Sequence, residues 1–190
     1  MTVNEALKAR RSCYQICKEL PISEDEAVKL ITDATELVPD AFNMRSQRVV
    51  VALGEKQDEL WETIYDSFGG KVAHEKIDGF KAGAGTVLYF YDRAVVEAMQ
   101  QQFPRYADNF PIWAQQANGM LQLAVWTGLR EAGVGANIQH YNPVIDDVVR
   151  KLFNLPDTWE LVAQMPFGGI AGDPAPKDGE DISKRVVIAR

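Results

Sequence analysis

The sequence predicts one mixed α+β domain in which a sheet of buried strands is covered by helices. Three observations point there. Gln47–Gly54 (QRVVVALG), Thr86–Tyr91 (TVLYFY) and Trp159–Phe167 (WELVAQMPF) are short apolar runs rich in β-branched and aromatic residues, as buried strands are. Helical periodicities lie between them, so helices are available to cover both faces of a sheet. The chain, 190 residues without repeats, has the length of one domain with a substantial core. The pattern by itself also allows an open α/β sheet. No G-x-G-x-x-G or P-loop string is present, so neither a dinucleotide-binding nor a P-loop fold is indicated.

The first helix is expected from about Val3 to Arg10, opened by the capping box Thr2-x-x-Glu5. Cys13 and Cys17 are four residues apart, a spacing that can put both on one helical face, where packing is their expected role. A second box, Ser23-x-x-Glu26, begins a helix running to about Val38 with Ala27, Ile31, Ala34 and Val38 on one face, and Pro39 ends it. After the first strand, Gln57–Phe68 turns Leu60, Trp61, Ile64 and Phe68 inward and stops at Gly69-Gly70. Val72–Phe80 is a short helix or loop carrying His74, to which no role is given. Asp92 caps a helix to about Gln102, and Pro104 breaks the chain where Phe103, Tyr106, Phe110 and Trp113 gather.

The stretch Asp108–Pro143 then reads as helix, glycine turn, strand, exposed polar tip and helix start. Ile112, Ala117, Leu121, Ala124, Val125, Leu129 and Ala132 mark the inward face, and small residues between them permit close backbone approach. Gly133 and Gly135 stop the helix. Ala136–Gln139 is a short strand, Gln139-His140-Tyr141 the tip, and Asn142 and Pro143 the cap and first-turn proline of a helix over Val144–Phe153. Gly168–Asp181 is expected as a loop and Ser183–Arg190 as a final short strand.

A net charge of −7 disfavours nucleic acid and anionic membranes as partners. No run is long enough to span a bilayer, and two cysteines without an export signal suit a reducing cytoplasm. Lys8, Arg10 and Arg11 cluster near one end, and Lys184, Arg185 and Arg190 near the other. They are either scattered surface cations or, if the fold joins the ends, an anion site suited to phosphate. The two histidines support neither a Ser-His-Asp arrangement nor a multi-histidine metal site.

GVGANIQHYNP at Gly133–Pro143, AQMPFGG at Ala163–Gly169 and RRS at Arg10–Ser12 together resemble the nitroreductase-like FMN flavoprotein superfamily, nearest to its short subgroup of bacterial copper-induced nitroreductases and their fungal relatives. The resemblance spans nearly the whole chain. It implies a three-layer α-β-α sandwich forming an interlocked homodimer, with residues 168–190 an extension crossing to the partner subunit. It implies FMN as cofactor and NADH or NADPH as electron donor. The activity it implies is ping-pong reduction of nitroaromatics, quinones or similar acceptors.

The same resemblance assigns Arg10, Arg11 and Ser12 to the flavin phosphate and ribityl chain, with Lys184 or Arg185 as a further phosphate contact. It assigns Asn43 to the flavin ring, and Gln139 or His140 to the backbone N–H facing the reactive N5. Tyr106 and Phe110 fall in the substrate neighbourhood. No catalytic side chain and no metal are implied. Three positions depart from the pattern. Tyr14 stands where many relatives have a basic residue, Asp40 where the subgroup has serine, and Arg45 where it has glutamine. Arg45 either places a cation by the flavin pyrimidine or points to solvent. A flavin-binding stress sensor with little turnover is the alternative that the same residues allow.

Overall fold

The structure, a computed structural model, describes residues 2–190. Its frame is a five-stranded sheet: β1 (Ile16–Cys17), β2 (Gln47–Leu53), β3 (Gly85–Asp92), β4 (Gly135–Ala136) and β5 (Trp159–Ile170). The order is β1-β5-β3-β2, with β4 also paired to β5, and all these pairings are antiparallel. The expected α+β sandwich is therefore present, and antiparallel pairing rules out the open parallel sheet that the sequence pattern allowed.

Seven helices surround the sheet among the described residues: α1 (Val3–Ala9), α2 (Glu24–Leu37), α3 (Glu55–Ser67), α4 (His74–Lys81), α5 (Arg93–Gln102), α6 (Phe110–Glu131) and α7 (Asp146–Leu152). The capping boxes Thr2/Glu5 and Ser23/Glu26 both form, and Asp92 caps α5 by accepting from Ala94 N–H. Strand alternation decides which helices sit where. Val87 and Tyr89 of β3, with Ala163, Met165 and Phe167 of β5, pack on Ala27 and Ile31 of α2 and on Leu121, Val125 and Leu129 of α6. Leu88 and Phe90, with Leu161 beyond the β-bulge that shifts the β3–β5 register between Tyr89 and Phe90, point the other way, onto Leu60, Trp61 and Ile64 of α3, Ile77 and Phe80 of α4, and Ile145 and Val149 of the α7 segment. These two cores make three layers. Each fully buried aliphatic or aromatic side chain contributes roughly 1.5–3 kcal/mol.

Two polar side chains inside the layers are bonded. Trp61 Nε1 donates to Thr86 Oγ1 at 2.9 Å. Asn118, an unexpected residue for a buried helix face, donates from Nδ2 to Phe90 O at 2.9 Å and accepts from Gln122 Nε2 at 2.8 Å.

Several sequence expectations need correction. Ile112 is 54% exposed, and Phe110 and Ala114 begin the buried face of α6 instead. Cys13 and Cys17 share no helix, because residues 16–17 pair with β5 as a strand; both thiols are free. Asn142 and Pro143 belong to a turn joined by a cis peptide, and α7 starts only at Asp146. The strand β5 runs on through Gly168 and Gly169 to Ile170 rather than stopping at Phe167. A Cβ on Gly168 would lie 2.2 Å from Cys17 O, and one on Gly169 would lie 2.0 Å from Glu19 O, so the glycines admit a close backbone neighbour and do not mark a loop. Ser183–Arg190 forms no strand within the chain: residues 182–184 make one 3₁₀ turn, and the residues after it enter no sheet among the described residues. Gly133 ends α6 as expected, at φ +82°.

Candidate functional site

The Arg10–Ser12 segment is fixed by its neighbours on three sides. Arg130 of α6 donates from Nε to Ala9 O at 3.0 Å, holding the end of α1 against α6. Ser12 bridges to Ala136 in parallel fashion, and Cys13 N–H donates to Ala136 O at 2.9 Å. Arg10 lays its guanidinium over the Trp126 ring, 4.1 Å from the centroid. The third side is the segment after β5. Ala171 N–H donates to Gln15 O at 2.9 Å, and Arg11 Nη2 donates to Ala175 O. Together these pieces enclose a cavity of about 640 Å³ lined by Arg10, Arg11, Ser12, Tyr14, Asp173 and Lys177 among others.

The cavity suits an anion. Neither Arg10 nor Arg11 forms an ion pair with a carboxylate among the described residues. Burial, and then the neighbouring Arg11 charge, lower Arg10 below the usual arginine value. Two adjacent, partly desolvated cations with a hydroxyl and an ammonium beside them fit a phosphate group.

Behind this cavity the Gln139-His140-Tyr141 tip is tied to the same segment. Asn137 donates from Nδ2 to Cys13 O at 2.8 Å and accepts from Gln139 Nε2 at 2.7 Å. Gln139 and Tyr141 N–H both donate to Gln164 of β5. His140 is exposed, and among the described residues its N–H meets no acceptor.

Asn43 and Arg45 are elsewhere. They line a second cavity of about 630 Å³ with Asp40, Gln47, Arg48 and the end of α2, and it shares no residue with the first. Phe42, Asn43 and Arg45 all have left-handed φ, between 53° and 54°. A loop of this kind needs a clasp, and Asp40 supplies it. Its Oδ1 accepts from Ala41 N–H at 2.8 Å, and its Oδ2 accepts from Ser46 N–H at 2.8 Å and from Ser46 Oγ at 2.6 Å. Arg45 Nε reaches Asn43 Oδ1 only at 3.5 Å, a long contact between exposed side chains.

Phe42 is 49% exposed and stacks on Trp113 at 5.8 Å and 21°. Tyr106 stands beside it on the surface, with ring centroids 5.7 Å apart. Phe110 is fully buried beneath Phe42 and Trp113, so it backs this aromatic wall and does not face solvent.

One chain therefore carries two separate groups of site residues. Trp113 marks one and Trp126 the other; 13 residues apart on one helix, they are roughly 20 Å apart at 1.5 Å per residue. Lys184 and Arg185 line neither cavity, and Arg185 Nη2 pairs with Glu180 Oε2 at 2.6 Å. Lys177 and Phe42 are the residues that sequence reasoning overlooks. The available signals were a lysine in an otherwise acidic loop and a phenylalanine among turn-forming residues.

The chain belongs to the nitroreductase family, whose pattern it matches over residues 7–169. In overall structure it is similar to nitroreductase CinD from Lactococcus lactis, solved in complex with chloramphenicol: 39% identity, TM-score 0.95, and both chains covered completely. CinD has also been solved with 4-nitrophenol. Two proteins of Saccharomyces cerevisiae are similar in sequence. HBN1 is 30% identical over 179 residues, covering 93% of this chain and 92% of that one. Nitroreductase FRM2 is 29% identical over 166 residues, covering 86% and 85%. Family and neighbours support an oxidoreductase function of the nitroreductase kind.

Proposed function

We propose that this chain is an FMN-dependent oxidoreductase that draws electrons from NADH or NADPH and reduces nitroaromatics, quinones or similar small acceptors, working as a cytoplasmic homodimer. The observation that carries this reading is the cationic cavity of Arg10, Arg11, Ser12 and Lys177, joined through Asn137 to a turn that leaves the His140 N–H free. When bound, FMN supplies the hydride chemistry. The guanidiniums of Arg10 and Arg11, the Ser12 hydroxyl and the Lys177 ammonium would hold its phosphate. Lys184 and Arg185 remain candidates only as contributions from a partner subunit, because they line neither cavity of their own chain. His140 N–H would face the ring edge, with Gln139 beside it.

The separation of the two groups along α6 supports the dimer. The Arg10 cavity and the Asn43 loop of one chain lie at separate places along α6 and share no lining residue. Two-fold pairing would bring the partner's copy of that loop over the ring and complete two equivalent sites. Asn43 and Arg45 would then touch the ring, and Phe42 and Tyr106 would wall the slot above it, with Phe110 behind them. One slot serving donor and acceptor in turn fits ping-pong turnover. That CinD was solved with a nitroaromatic antibiotic and with 4-nitrophenol supports nitroaromatics as the acceptor class.

The test is an absorption spectrum of the purified protein, native and denatured, followed by anaerobic addition of NADH or NADPH. Flavin bands released as FMN and bleached by a nicotinamide are the expected result. Arg10→Ala should weaken FMN binding about 10- to 100-fold, the worth of one charge-assisted phosphate contact. A colourless protein that takes up no FMN would sink the reading. Bound flavin that neither nicotinamide bleaches would favour a sensor instead.

A further inference from the structure

Gln164 sits in the middle of β5 and is fully buried, between the apolar Ala163 and Met165. A glutamine there is costly unless its amide is bonded. Among the described residues, all of its hydrogen bonds outside the ladder with β3 go to one neighbour, the turn at residues 139–142. Its backbone N–H donates to Gln139 O at 2.9 Å, and its backbone O accepts from Gln139 N–H at 2.7 Å. Its side-chain Oε1 accepts from Tyr141 N–H at 2.9 Å, and its Nε2 donates to Asn142 Oδ1 at 3.1 Å. Asn142 is held further by donating from Nδ2 to Leu161 O at 2.8 Å and to Asp146 Oδ1 at 3.0 Å.

Residues 139, 141 and 142 are thus fastened to one strand, and His140 between them is not. His140 is an exposed residue, and its N–H meets no acceptor among the described residues. A main-chain donor flanked on both sides by groups bonded to a rigid strand has a set direction before any ligand arrives.

We infer that Gln164 is a positioning residue: by holding Gln139, Tyr141 and Asn142 it aims the His140 N–H at the flavin ring. The inference rests on the FMN reading above. The Gln164 side-chain oxygen is directed by Tyr141 N–H and the nitrogen by Asn142 Oδ1, so both amide atoms act on the turn.

The test compares wild type, Gln164→Met and Gln164→Glu by amide hydrogen exchange, without and with FMN, and by the rate at which a saturating nicotinamide bleaches bound FMN. Methionine keeps the length and removes both side-chain bonds. Glutamate keeps an acceptor for Tyr141 N–H and loses the donor to Asn142. In flavin-free wild type, Tyr141 N–H should be protected and His140 N–H should not, and FMN should protect His140. In Gln164→Met, Tyr141 exchange should rise roughly tenfold and the bleaching rate fall roughly tenfold with KM little changed, since a small misplacement of a reacting group acts on the chemical step. Gln164→Glu should regain part of the Tyr141 protection.

A Gln164→Met protein that shows wild-type protection of His140 by FMN and the wild-type bleaching rate overturns the inference, even if its Tm falls. If that variant does not fold, Gln164→Glu decides by the same two readouts. Failure of the FMN reading is seen separately: wild type itself takes up no FMN, and the role of Gln164 falls with it.

Discussion

At the scale of single residues, polar groups inside the sandwich behave according to how well they are satisfied. Tyr89 is fully buried, and among the described residues its hydroxyl donates only to Met165 Sδ, at 3.4 Å. A thioether is a weak acceptor, so Tyr89→Phe should change stability at pH 7 by less than about 1 kcal/mol. Burial also pushes the Tyr89 phenol well above its usual value. Its stabilising contribution is therefore complete below the unfolded value of about 10 and is lost as pH rises towards the folded one, because the unfolded chain releases a proton that the folded chain retains. Unfolding curves at pH 7 and above pH ~10 should show Tyr89→Phe gaining on wild type at the higher pH. Equal losses in both proteins would contradict this.

At the scale of elements, the loop between α2 and β2 shows how one departure from the family pattern can support others. Three non-glycine residues hold left-handed backbone angles, each costing about 1 kcal/mol or more. The Asp40 carboxylate joins the two ends of the loop with three hydrogen bonds. Removing it strands the N–H of buried Ser46. Asp40→Ala should lower stability by about 2 kcal/mol in urea unfolding, most of it from that loop. A change within about 0.5 kcal/mol, the range of ordinary surface substitutions, would mean that the loop keeps its shape without the clasp. The sequence showed Asp40 as a departure; its function as a clasp depends on Ser46 being six residues away and folded back on it.

At the scale of the whole molecule, two features remain unpaired within one chain. Among the described residues the edge strand β2 pairs only with β3, and exposed strand edges invite a further strand. The tail exposes Val186, Val187 and Ile188, with Val187 93% exposed. Deleting residues 182–190 removes no core side chain, so the fold should survive. If the tail reaches the partner, sedimentation should show the truncated protein shifting from dimer towards monomer and losing FMN with it. A truncated protein that stays dimeric and yellow would show that the tail is dispensable for the pairing.

Much of this fold was legible along the chain. Capping boxes, the three long strands, the inward faces of α2 and α3 and the Gly133 stop follow from short-range rules, because caps, periods and turns involve residues a few positions apart. The motif strings likewise pointed to Arg10–Ser12 and the Gln139–His140 turn as candidate site residues, and the family resemblance to Asn43. What the chain alone could not supply depends on groups distant in sequence meeting in space. The extension of β5 through Gly168 and Gly169 depends on how closely the segment after β1 approaches. Lys177 joins Arg10 only because the segment after β5 folds back along residues 11–15. Gln164 acquires its role from a turn 22 to 25 positions away. The roughly 20 Å between the two groups of site residues is set by the straight run of α6, and sequence order contains no such distance.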